Sequence, residues 1–208
     1  IPEKLDYEIA SFTEPISCVV RCLDKSQIKQ GETVAIIGAG IMGQILTQMI
    51  KNSGASKIIV LSHFDWKLDL SRKFGATHTI KSISPIHVKE EIFNLPDGIG
   101  VDVLIEAVGK IETVEESFLM VKKGGRIVIF GFCPEGKEAK FIPFDFLSRE
   151  ITLLSSWVNP YTFPRALEIL YSDKLDIKPL ISMRLKLDDI MDGFKTMMEK
   201  PSGFMKCL

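Results

Sequence analysis

The chain has 208 residues, 46% of them apolar, with 26 Lys and Arg against 27 Asp and Glu for a formal charge of −1. That length buries a sizeable core and reads as one full domain plus an appendage. Charges spread without blocks argue against a nucleic-acid or membrane surface as the main partner, and no apolar run approaches the ~20 residues of a membrane span. The first residues, IPEKLDYEI, carry no signal-peptide pattern, and Ile1 is not an initiator methionine, so a piece of something longer is expected. Four scattered cysteines, Cys18, Cys22, Cys133 and Cys207, make no disulfide framework and suit a reducing cytoplasm. Cys18 and Cys22, one helical turn apart, are read as core rather than as a metal site.

In chain order, Pro2 and Tyr7 to Cys22 show apolar residues at helical spacing, with a helix expected over Pro15–Leu23 and a loop from Asp24 to Glu32. In TVAIIGAGIMGQILTQMIK, an apolar run from Val34 to Ile37 meets Gly38, Gly40 and Gly43 and passes into an amphipathic segment, Ile41 to Ile50. This predicts strand, tight turn and helix. Gly38 allows the turn, Gly40 leaves room for a pyrophosphate, Gly43 lets helix lie on strand, and the helix N-terminus offers free N–H groups. Dinucleotide binding is the expectation; a glycine-rich turn or another Rossmann-type ligand is the alternative.

A second strand is expected at Lys57–Leu61, then a helix capped by Asp65 and stopped at Gly75. Thr77–Ile80 reads as a strand, His87–Phe93 as a helix, Asn94–Gly100 as a loop and Val101–Ala107 as a strand buried on both faces. A helix over Ile111–Val121, a turn at Gly124-Gly125 and a strand over Arg126–Phe130 follow. The alternation predicts an α/β doubly wound parallel sheet, the Rossmann fold. Gly131 to Ser148 reads as irregular, Ile151–Ser155 as a sixth strand and Phe163–Tyr171 as a helix. Pro179 breaks the chain before Arg184 to Leu187, Asp188 caps a last helix, and Phe204–Leu208 is a short final strand. Met191, Phe194, Met197 and Met198 fall on one face of that helix and are expected to be core.

GETVAIIGAGIMGQ, ASKIIVLS, FGATHTI, GVDVLIEAVG, KKGGRIVIFG and KPLISMRLKLDDIMDGFKTM, in this order and spacing, resemble the medium-chain dehydrogenase/reductase family, the zinc-type alcohol and polyol dehydrogenases of the sorbitol dehydrogenase kind. The likeness covers nearly the whole chain. FTEPISCVVRC resembles the helix by which these enzymes pass from catalytic to cofactor domain. The family's metal-binding domain is absent: there is no cysteine followed by Gly-His-Glu and no four-cysteine zinc lobe. The resemblance therefore implies a linking segment and helix over 1–23, a dinucleotide-binding domain over 24–157, and over 158–208 a segment returning to the missing catalytic domain.

It further implies hydride transfer between a secondary alcohol and a nicotinamide, with zinc in the full-length enzyme polarising the oxygen. Gly38, Gly40, Ile41, Met42 and Gly43 would hold the pyrophosphate. Ala107, Val108 and Gly109 would lie beneath the adenosine and nicotinamide ribose, with Gly131 and Phe132 on the nicotinamide side. Glu14 matches the glutamate that polyol and threonine dehydrogenases place beside the metal; a solvated acid at a helix start is the equal alternative. Trp157 and Asn159 align with the loop that covers the nicotinamide and borders the substrate. There, Val158 and Asn159 replace an arginine and a tyrosine, which turns the expectation from sorbitol towards another sugar alcohol or its phosphate. The segment alone is expected to bind dinucleotide without oxidising alcohols; a stand-alone binding module without chemistry is the other reading.

NAD-specific Rossmann domains place an acid at the end of the second strand, and here that position is Ser62. With His63 following and Lys67 in the next helix's first turn, NADP is favoured over NAD. The uncharged TLLSS stretch, read as an edge strand, points to a homodimer.

Overall fold

The computed structural model describes residues 5–95 and 98–208. Pro2, and Pro96 and Asp97 of the expected loop, lie outside them. Six strands, β1 (Thr33–Ile37), β2 (Lys57–Ser62), β3 (His78–Lys81), β4 (Val101–Glu106), β5 (Val121–Ile129) and β6 (Thr152–Ser155), form one sheet in the order β3-β2-β1-β4-β5-β6. Every pairing in it is parallel. The chain moves outward from β1 through β2 to β3, then returns to the other side of β1 for β4. The carboxyl ends of β1 and β4 therefore bound the crevice where a doubly wound sheet takes ligand.

The near-continuous apolar runs of the central strands follow from burial on both faces. Val34, Ile36, Val103 and Ile105 point to one layer, packed on α2 (Thr13–Ser26), α3 (Ile41–Lys51), α4 (Asp65–Phe74) and α8 (Phe163–Tyr171). Their neighbours Ala35, Ile37 and Leu104 point to the other, packed on α5 (Pro85–Phe93) and α6 (Ile111–Met120). Cys18 and Cys22 are buried in the first layer, as their spacing predicts.

A short helix, α1 (Tyr7–Ala10), precedes α2. The break falls at Ser11-Phe12, and α2 runs well past Leu23, to Ser26. Pro15 sits in its first turn, where no N–H is needed. Arg126 of β5 holds the far end: its Nε donates to the carbonyl of Ser26 at 2.9 Å and its guanidinium pairs with Glu32 at 2.5 Å. A cation at a helix C-terminus answers the last carbonyls.

Four expectations are corrected. Asp65 does not cap α4: it is the first helical residue, Phe64 stands at the cap position, and the Asp65 carboxylate accepts from Lys81 Nζ at 2.6 Å. Asp188 does not cap the last helix either, because a 3-10 turn over Leu187–Asp189 leads into α9 (Ile190–Glu199) without a side-chain cap. The stretch expected to be irregular contains a short helix, α7 (Pro143–Ser148). The apolar face of α9 is not core within the described residues: Met191 is 71% and Met198 82% exposed, and only Gly193 of the helix is buried.

Gly124-Gly125 lies inside β5, where the pairing with β4 shifts register between Val101 and Val103. Near the end, β7 (Ile181–Met183) pairs in parallel with β8 (Lys206–Cys207). Leu104 sits fully buried in the central strand β4. Leu104→Ala should lower unfolding free energy by about 2–5 kcal/mol in urea titration; an unshifted midpoint would mean the sheet does not depend on this layer.

Candidate dinucleotide-binding site

Two glycines fix the contact between β1, α3 and the end of β4, and a third leaves the space ahead of the helix open. Gly38 has φ +108°, and a Cβ there would stand 2.8 Å from Val108 Cγ2 and 3.3 Å from the Ala107 carbonyl oxygen. A Cβ on Gly43 would fall 1.9 Å from the carbonyl oxygen of Gly38, so α3 lies against the turn with no room for a methyl group. At Gly40 the reverse holds: a Cβ would meet nothing within 4 Å and would project into open space. Gly40 also caps α3 without a side chain, leaving the N–H groups at Ile41 and Met42 no side-chain acceptor. An open cradle ahead of a helix N-terminus is the arrangement that takes a phosphate, so the residues present fit a dinucleotide.

On the other side of the crevice the backbones are equally tight. The N–H of Ala107 donates to the Ile37 carbonyl at 2.9 Å. A Cβ on Gly109 would lie 2.3 Å from the Phe132 carbonyl oxygen, and one on Gly131 would lie 2.2 Å from the Gly109 nitrogen. Ala107, Val108, Gly109, Gly131 and Phe132 are thereby brought together with Gly38. The Phe132 and Trp157 rings lie 4.7 Å apart, centroid to centroid, and both are about two-thirds exposed, at 66% and 68%.

Glu106, at the carboxyl end of β4, is the residue that sequence reading missed. It is fully buried, and its Oε1 accepts from the N–H of Val108 at 2.8 Å, the N–H of Gly109 at 2.9 Å and the hydroxyl of Thr113 at 2.8 Å. Its Oε2 is buried and has no partner among the described residues. The signal was an acid inside the apolar run VLIEAVG, at the carboxyl end of the strand; for a buried strand, that residue type requires a reason.

At the far end of the crevice, Ser62 closes β2 and is buried, and its Oγ accepts from the Phe64 N–H at 3.2 Å, which leaves the hydroxyl proton to donate. Lys67 lies in the first turn of α4, with Nζ 5.0 Å from the Phe64 ring centroid and 5.2 Å from that of Trp66. Burial holds its ammonium below the usual lysine range, and the charge of Lys200 adds to this. Lys200, the C-cap of α9, was not anticipated. His63 is exposed beside Ser82, bonded through Nδ1 to its carbonyl. It also draws down the Glu116 carboxyl, which burial pushes up more strongly. Asp65, the acid nearest in sequence, is neutralised by Lys81.

Glu14 and Asn159 meet through Ser17. The Asn159 amide donates to Ser17 Oγ at 2.7 Å, and that hydroxyl donates to the Glu14 carbonyl at 2.6 Å. The Asn159 loop is strained, since Val158 at φ +44° and Tyr161 at φ +64° sit in the left-handed region. Glu14 is exposed and accepts from Cys18 Sγ at 3.2 Å. Burial first, then this bond to Glu14, pushes the Cys18 thiol up to about 12, so it stays a protonated donor. No group of three metal-binding side chains occurs among the described residues. A single carboxylate does not make a zinc site.

This geometry is that of a doubly wound α/β domain with an open, glycine-lined cradle at its crevice. Residues 42–172 match the family model described as zinc-binding dehydrogenase, and the chain belongs to that family. It is 28% identical over its whole length to the sorbitol dehydrogenase of Bacillus subtilis strain 168, covering 58% of that protein. It is also 28% identical to the D-arabitol-phosphate dehydrogenase of Enterococcus avium over 96% of the chain and 57% of that protein. Among solved structures, a zinc-binding dehydrogenase of Sinorhizobium meliloti 1021 bound to NADP superposes with a TM-score of 0.91 at 35% identity, covering 100% of this chain and 60% of that one. The chain thus spans somewhat more than half the length of such relatives.

Gly40→Ala should melt as the parent does yet lose dinucleotide affinity about tenfold or more by calorimetric titration. Gly43→Ala should instead lose about 1–3 kcal/mol of stability or more, since backbone must move. Identical behaviour of the two variants would refute the separate roles given to these glycines.

Proposed function

We propose that this chain is the cofactor-binding part of an oxidoreductase that transfers a hydride between a secondary alcohol and NADP or NAD. The observation that carries the reading is the glycine-lined cradle at the β1–β4 crevice, open at Gly40 and closed by backbone everywhere else. Residues 1–23 would link to the rest of the enzyme, 24–157 bind the dinucleotide and 158–208 return. The zinc of the family would be held mainly by residues outside this chain, with Glu14 beside it.

A bound nicotinamide supplies the hydride acceptor at its C4. This chain positions it: the α3 N-terminus takes the pyrophosphate, the Ala107–Gly109 turn supports the ribose, and Phe132 with Trp157 wall the ring from water. Asn159, beside Glu14 through Ser17, would border the substrate. Relatives named for arabitol phosphate and sorbitol support a sugar alcohol or its phosphate as the substrate class. Free cysteines are compatible with a cytoplasmic setting. No helix among the described residues is long and apolar enough to cross a membrane.

NADP is favoured over NAD. Ser62 removes the charge that would repel a 2′-phosphate, the charge of Lys200 is felt at Lys67, and neither lysine is in an ion pair among the described residues. By calorimetry NADP should bind about tenfold more tightly than NAD, a difference of ~1.4 kcal/mol, and Ser62→Asp should remove or reverse that preference. Equal binding of the two dinucleotides would exclude this assignment.

The partner is proposed to be a second copy of the chain. The outer edge of β6 is unpaired among the described residues, carries no charge over Thr152–Ser155 and exposes Leu153, while α7 just before it exposes Phe144 and Leu147. Such an edge is a template for pairing, and two-fold closure satisfies both copies. Light scattering should report a dimer that Leu153→Lys converts to monomer; a parent that stays monomeric at high concentration would rule the dimer out.

A further inference from the structure

A fully buried acid with no cationic partner among the described residues is an unusual thing to find at a ligand crevice, and Glu106 is one. Three donors converge on its Oε1, from the N–H groups of Val108 and Gly109 and from the Thr113 hydroxyl. Such convergence suits an acceptor-only carboxylate oxygen. Its other oxygen is sealed and unpartnered. A Cβ on Gly131 would come within 2.8 Å of that oxygen, so the loop after β5 too is shaped around it. No ion pair among the described residues includes Glu106, although buried charge is ordinarily matched by opposite charge. The negative charge is felt nearby: the Cys133 thiol, in the loop after β5, is raised first by burial and then by Glu106.

The position decides what could match it. In a doubly wound sheet the first half, β1 to β3, takes one mononucleotide and the second half, β4 to β6, takes the other. The adenosine end is marked by Ser62 at β2, so the second half, where Glu106 bridges the ends of β4 and β5, takes the nicotinamide. An oxidised nicotinamide ring is a cation, whereas the reduced ring is neutral.

We propose that Glu106 is a positioning residue whose buried carboxylate finds its counter-charge in the oxidised nicotinamide, so that its charge shifts the preference of this site, the ratio of oxidised to reduced affinity, towards the oxidised dinucleotide. The carboxylate acts through the Ala107–Gly109 turn that it organises and through its field, without touching the hydride or the substrate. This rests on the cofactor-binding reading above and adds to it a selectivity between redox states.

Dissociation constants for oxidised and reduced dinucleotide, measured by calorimetry on the purified protein and its variants, test it. Glu106→Gln keeps the acceptor and the shape but removes the charge, and should cut the preference for the oxidised form about tenfold, the scale expected for one charge at close range in partly buried surroundings. Glu106→Asp should retain the preference. Thr113→Val, which loosens the turn but spares the charge, should weaken both forms alike. In the unaltered protein, the oxidised dinucleotide should outbind its isostere with benzamide in place of nicotinamide by about tenfold; this comparison decides the matter even if the Gln variant does not fold. Equal binding of dinucleotide and benzamide isostere, or an unchanged redox preference in a folded Gln variant, overturns the role of Glu106 and leaves the cofactor-binding reading intact. Failure of the unaltered protein to bind any dinucleotide brings down both.

Discussion

The rest of this structure depends on one close approach, in which the backbone of α3 touches the turn after β1 and that turn touches the end of β4. Neither contact tolerates a side chain, because a methyl group on Gly43 would sit inside the Gly38 carbonyl and one on Gly38 would strike Val108. With the helix drawn in this far, its N-terminus follows directly on the turn at the end of β1. The partial positive charge of the helix end then faces the crevice that the strand order opens. Had the helix stood off by the width of an alanine, the core beneath would keep its apolar residues and the crevice would lose its floor.

Packing and polarity divide the remaining work. The layers above and below the sheet are apolar and alternate by residue along each central strand, so the sheet holds its shape without help from the site. Polar groups buried near the crevice are used to set backbone. Glu106 gathers two N–H groups of the β4–α6 turn, and Ser17 ties the Asn159 loop to α2. Arg126 and Glu32, both largely buried, join the end of α2 to β5 at the opposite edge of the sheet.

What was legible in the sequence was what depends on nearest neighbours. The parallel strands announced themselves as short apolar runs, the three glycines by their spacing, and the stop of α4 at Gly75, which takes φ +110°. Element starts were harder. Ser84 accepts from the His87 N–H and Pro85 opens α5, a cap signal overlooked in favour of the first residues of clear helical period. Asp65 looked like a cap because acids often are, and only the fold brings Lys81 to it from the end of β3. The apolar face of α9 shows what periodicity can carry: it states that one side of the helix is apolar and says nothing of what covers it. The influence of Lys200 on Lys67 was out of reach for the same reason, since it joins segments far apart in the chain.

The two ends of the crevice suit opposite charges, and oxidised NADP carries them, with its 2′-phosphate at one end and a cationic ring at the other. At the β2 end a serine replaces the usual acid, the aspartate nearest in sequence is paired with Lys81, and Lys67 feels the charge of Lys200; each feature suits added negative charge. At the β4–β5 end a carboxylate is buried with one oxygen unanswered, which suits added positive charge. Each arrangement alone is a cost to the empty fold, because like charges repel and a buried acid is desolvated. Both costs fall when a ligand arrives with phosphate at one end and a cationic ring at the other. Binding energy that relieves strain already present in the protein discriminates more sharply than added contacts do, since a ligand with the wrong charge at either end leaves the cost in place.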